Sequence, residues 1–135
     1  MHKIVLCACA VLWTGLLYAH DNQSSGSAKV QQATVCFFDF RVESPFGRDE
    51  TSISRPTYCH YEIDKARFLG LLSSRPDSEF YMPNYIRAKV TFAPNEIYFV
   101  DNNGIVRYGD KKFSIDKSKF TNSLENVKKS TSSTK

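Results

Sequence analysis

Apolar and polar side chains alternate with a period of two along three stretches of this chain, the pattern of strands with one face buried. In ATVCFFDFRV, over 33–42, Cys36, Phe38, Phe40 and Val42 oppose Val35, Phe37, Asp39 and Arg41, and the first set is expected to face the core. In TYCHYEI, over 57–63, Cys59, Tyr61 and Ile63 oppose Tyr58, His60 and Glu62. In YIRAKVTFA, over 85–93, Ile86, Ala88, Val90 and Phe92 point inward between Arg87, Lys89 and Thr91. Three shorter strands fit EIYFVD, GIVRY and KKFSI, joined by DNNG and YGDK, whose Asn, Asp and Gly residues suit hairpin turns.

Helical spacing replaces alternation twice. One helix is expected over 65–73 and a second over 117–127, the latter with Phe120, Leu124 and Val127 on one face. The predicted order is ββαβ, a meander of three strands and a C-terminal helix. That is an α+β fold: an antiparallel sheet with two short helices packed on one face.

Both helices begin on the same skeleton, in IDKARFLGLL at 63–72 and IDKSKFTNSL at 115–124. With Asp64 or Asp116 as N-cap, the carboxylate accepts from an unpaired first-turn N–H. Ile63 with Phe68, and Ile115 with Phe120, then have the spacing of a hydrophobic staple. Every shared position thus has a structural reason, so the repeat is expected to be a strand-to-helix joint used twice, by convergence or by an old duplication. The functional alternative is a pair of equivalent sites using the first-turn cations for an acidic partner.

The ends of the chain carry other signals. Lys3 followed by the apolar run 4–18 is too short to span a bilayer and reads as a secretory leader, 1–19, cleaved after Ala19. Residues 20–32 are polar and read as a flexible lead, 33–128 as one domain, and 129–135 as a disordered basic tail. Cleavage leaves Cys36 and Cys59 as the only cysteines of an exported, periplasmic or secreted protein, and a pair in such a compartment is expected to be a disulfide. It also removes one basic residue, leaving 17 against 14 acidic ones, a net charge of +3. So mild an excess, with no concentrated stripe, argues against nucleic acid as a partner.

Chemistry is thinly signalled. With both cysteines paired, His60 lacks the companions a zinc site needs, so neither metal nor cofactor is expected. No phosphate loop, dinucleotide fingerprint or G-x-S-x-G motif is present. If the first two strands pair, Tyr58, His60, Glu62, Phe37, Asp39 and Arg41 share an outward face, either as a binding patch or as cross-strand pairs such as Arg41 with Glu62. The loop 43–56 has no element assigned and offers Phe46, Arg48, Asp49, Glu50 and Arg55 for contact. A second loop presents Phe80, Tyr81, Met82 and Tyr85. The leading expectation is a non-enzymatic exported protein that binds another macromolecule, with a protein as the expected partner and an inhibitor or immunity-type factor in the cell envelope as the role that suits it. A small hydrolase or ligand-binding module using His60 and nearby carboxylates is the first alternative, and an envelope structural or assembly factor is the second.

Overall fold

The computed structural model describes residues 29–74 and 80–127. The leader, the lead as far as 28 and the basic tail lie outside the described residues. The chain forms β1 (Gln32–Phe37), β2 (Tyr61–Asp64), α1 (Lys65–Leu71), β3 (Leu72–Ser74), β4 (Ile86–Phe92), β5 (Glu96–Asp101), β6 (Ile105–Tyr108), β7 (Lys111–Ile115), α2 (Lys117–Ser123) and β8 (Glu125–Asn126). All eight strands join one antiparallel, curled sheet in the order β3-β7-β6-β5-β4-β1-β2-β8. The α+β class holds, but the details differ from expectation. The meander has four strands, β4 to β7, and a short strand follows each helix.

Those added strands explain the repeat. Asp64 accepts the Arg67 N–H and Asp116 the Lys119 N–H, each at 2.9 Å, so both are N-caps. Phe68 and Phe120 are fully buried, their ring centroids 6.2 Å apart. Each helix then ends as Leu72 or Leu124 turns extended, and the chain continues into β3 or β8. Here the two copies cross over. Strand β3, from the first copy, pairs with β7 of the second, and β8, from the second copy, pairs with β2 of the first. The registers correspond as well: the shift that carries Asp64 onto Asp116 carries Ser73 opposite Ser114 onto Glu125 opposite Glu62, and Ser74 opposite Phe113 onto Asn126 opposite Tyr61. The repeat is therefore a pseudo-twofold strand-helix-strand unit, larger than the joint read from the sequence.

The second helix stops short of Val127 for a local reason. Its last turn is Thr121, Asn122 and Ser123, all weak helix formers, and the two hydroxyls bond back to the Lys117 and Lys119 carbonyls at 2.8 and 2.7 Å. Val127 is left exposed, its N–H donating to the His60 carbonyl at 2.8 Å.

Alternation assigned the wrong face to β1 because both faces of the sheet are covered. Ala33, Val35 and Phe37 face the helices, with Ile63, Val90, Val106, Phe68 and Phe120. Phe38 faces the other way, toward a smaller cluster of Ile53, Tyr81, Ile86 and Ile105. A bulge between Ile86 and Ala88 shifts the phase of β4, so Ile86 joins the smaller cluster while Ala88, Val90 and Phe92 join the main one. The strand expected over 57–63 begins only at Tyr61, because Pro56–Tyr58 forms a 3-10 turn. The Cys36–Cys59 disulfide forms, with Cα atoms 3.7 Å apart, and joins β1 to the segment before β2.

Phe68→Ala and Phe120→Ala should each lower unfolding free energy in urea by about 3–5 kcal/mol, whereas Asp64→Ala and Asp116→Ala should cost about 1 kcal/mol apiece. Because the two rings touch, the double phenylalanine variant should depart from additivity.

Candidate interaction surface formed by two loops

The loop 43–56 has a structural role that its polar composition concealed. A 3-10 turn at Ser52–Ser54 drives Ile53 to 0% exposure as the anchor of the smaller apolar cluster, with Phe38, Tyr58 and Phe99 around it. Asp49 shapes that turn by accepting the Ser52 N–H at 2.7 Å, while its own N–H donates to the Ser52 hydroxyl at 2.9 Å. These bonds hold the Asp49 carboxyl below the usual carboxylate range.

Arg48 and Glu50 fasten the loop to the sheet. The Arg48 guanidinium lies 3.4 Å from the centroid of the Phe38 ring and donates to the Tyr58 hydroxyl at 3.1 Å. Arg87 lies 5.0 Å from the same ring, and its nitrogens donate to Asn102 Oδ1 and to the carbonyls of Asp39 and Val42. Glu50 accepts from the Tyr81 hydroxyl at 3.0 Å and from Arg107 through Nε and Nη2. Burial, chiefly, pushes the Tyr81 phenol upward, so it stays protonated and donates.

The second loop is also held through its backbone. Asp101, at 0% exposure, accepts the backbone N–H groups of Met82, Asn103 and Ile105, each at 2.9 Å. One buried carboxylate thereby ties 80–85 to the β5–β6 turn and satisfies three donors. Gly104 completes the turn at φ 79°, where an added Cβ would lie 2.7 Å from the Ile115 carbonyl oxygen.

The two loops, read separately in the sequence, lie side by side. Ile86 N–H donates to the Arg48 carbonyl at 2.7 Å, and a Cβ on Gly47 would stand 2.1 Å from the Asn84 carbonyl oxygen. Phe46 is 80% exposed and Tyr85 49%, and both flank this contact; Phe80, on the second loop, is 76% exposed. The candidates Phe46, Arg48, Asp49, Arg55, Tyr58, His60, Phe80, Tyr81 and Tyr85 thus divide. Phe46, Phe80 and Tyr85 offer large apolar surface, and Arg55 is exposed. Arg48, Tyr58, Asp49 and the buried Tyr81 hold the loops in place. His60 is exposed near β8, and its carbonyl receives the Val127 N–H.

The outward patch expected around His60 is not assembled. Phe37 belongs to the main core, and Arg41 pairs with Asp39 at 2.6 Å instead of with Glu62. Glu50 was offered only for contact with a partner, and Ile53, Arg87, Asp101 and Arg107 were missed as organisers. Only Asp101 carried a sequence signal, its place at the head of a hairpin turn. No cluster of three or more His, Cys, Asp or Glu side chains suited to a metal occurs among the described residues. Neither a family model, nor a curated protein, nor a solved structure matches the chain.

Asp101→Ala leaves three N–H groups without their acceptor and should destabilise the protein by about 3 kcal/mol or more. Hydrogen exchange should accelerate first at Met82, Asn103 and Ile105. Bonds from Arg41 to the Asp39 carboxylate hold its pKa at about 2. A pKa lowered by folding stabilises the native state above the ordinary aspartate value, and that contribution is lost as pH falls from about 4 toward 2. In an NMR titration, Arg41→Ala should raise the Asp39 midpoint toward, without reaching, the ordinary value of about 3.9, because the backbone N–H at position 41 still donates to the carboxylate and the Arg87 charge remains.

Proposed function

We propose that this chain is an exported protein that acts by binding a protein partner, as an inhibitor or immunity-type factor in the cell envelope, through the paired loops 43–50 and 80–85. The observation that carries the reading is the contrast between anchoring and exposure. Phe46 and Tyr85 stand in solvent, yet the backbones beneath them are fixed by the Arg48–Ile86 hydrogen bond, the Glu50 bonds and the Asp101 carboxylate. Exposed aromatic side chains on a preorganised backbone suit recognition, because little conformational freedom is lost on binding.

One further observation supports the setting. The disulfide is compatible with an oxidising, exported compartment, and the secretory leader read at 1–19 belongs to the same proposal. No helix among the described residues is long and apolar enough to cross a membrane.

The test is affinity capture with the oxidised chain starting at His20, against envelope and secreted proteins of the producer and its competitors. The expected result is one partner in fixed stoichiometry. Phe46→Ser with Tyr85→Ser should weaken it by at least about 2 kcal/mol, roughly thirtyfold in Kd. Gly47→Ala, which forces the loops apart, should also weaken it. A partner whose affinity survives the double substitution but is lost with His60→Ala would transfer the site to the β2–β8 edge and overturn this assignment.

A further inference from the structure

The two halves of the repeat build matching helices with unlike surfaces. The shift that superposes them keeps Asp64, Phe68 and Leu72 as Asp116, Phe120 and Leu124, the residues that cap, bury and end each helix. It replaces Ala66, Leu69 and Gly70 on α1 by Ser118, Thr121 and Asn122 on α2. The first-turn lysines differ too: Lys65 pairs with Glu96 at 2.5 Å, whereas Lys117 donates to the Asn102 carbonyl at 3.3 Å.

Where the copies differ, a hollow of about 350 Å³ opens beside α2. Ser118, Thr121 and Asn122 with Lys117 line one wall, and Asp39, Phe40 and Arg41 the other. Among the described residues the side chains of Ser118 and Asn122, both exposed, make no hydrogen bond, while the Thr121 hydroxyl donates to the Lys117 carbonyl at 2.8 Å. Phe40 packs on the main core and presents an apolar surface to the hollow, with the Lys117 ammonium 5.7 Å from its ring centroid.

The chemistry of the lining narrows the ligand. An inorganic anion would meet the ionised Asp39 carboxylate, and a metal cation would meet Arg41 and Lys117. A wholly apolar molecule would strip water from several polar groups without replacing their hydrogen bonds. A neutral polyol with one apolar face suits the mixture of donors, acceptors and aromatic surface, and the volume lies at the small end of the range for small-molecule pockets. We propose that this hollow binds one hexopyranose unit of a saccharide: the sugar's C–H face lies against Phe40, and its hydroxyls bond to Asp39, Arg41, Ser118 and Asn122. This site shares no lining residue with the loop surface, so either can fail alone.

Amide NMR spectra of the oxidised chain, titrated separately with glucose, galactose, mannose, N-acetylglucosamine and inorganic phosphate, test the assignment. The expected result is saturable shifting of amides at 39–41 and 117–122 by at least one sugar, with a Kd in the millimolar range. Ser118→Ala with Asn122→Ala should weaken that binding about tenfold or more, with the rest of the spectrum unchanged, because both positions are exposed. Leu69→Ala, at the place on α1 equivalent to Thr121, should leave it unaltered. Shifts from phosphate alone, no response to any of the four sugars, or a sugar response that survives the double substitution would overturn the proposal.

Discussion

The contact between Phe68 and Phe120 is the point on which the architecture turns. Each ring is fixed by its own joint, in which an aspartate caps the helix and the fourth helical residue is driven inward. The rings meet because each helix hands its chain to the strand that leads into the other helix. Neither half can complete its own sheet edge. The reciprocal pairing therefore makes the sheet a product of both copies, although they lie far apart in the chain, and the aromatic contact is where the exchange closes.

The other face of the sheet follows a different rule. There two loops replace the helices, and Ile53 from one and Tyr81 from the other cover Ile86 and Ile105 of the sheet. So small a cluster buries little surface, and polar bonds contribute much of the order: the Arg48 guanidinium over Phe38, Glu50 shared by Tyr81 and Arg107, and the three N–H groups held by Asp101. Directional bonds fix a backbone more tightly than apolar contact of the same size. The disulfide adds to this by closing the segment between Cys36 and Cys59, worth about 3 kcal/mol if its effect is on the unfolded chain.

What the sequence revealed and concealed follows from this division. The strands β4 to β7, both N-caps, both buried phenylalanines and the disulfide could be read because each rests on local periodicity or on a residue type with one dominant role. The face of β1 was misread because alternation shows that two faces differ, not which one meets the helices; with both covered, Phe37 and Phe38 are equally apolar. Strands β3 and β8 were invisible because two or three residues hold no period. Ile53 was hidden as one apolar residue in a polar loop. The meeting of Gly47 with Asn84 was beyond reach, since it depends on how two distant loops fold over one sheet.

The same reasoning bears on where function can reside. Positions that the two copies share are spent on capping, burial and strand exchange, and altering them would cost the fold before it altered any activity. The loop crossing the second face and the polar surface of α2 have no counterpart in the other half. Neither Phe46 nor Asn122 is needed to complete the core, as both are exposed. In a pseudo-symmetric molecule, side chains that break the symmetry without serving the packing are free to be shaped by a partner. That separates the frame of this protein from its two candidate surfaces on physical grounds alone.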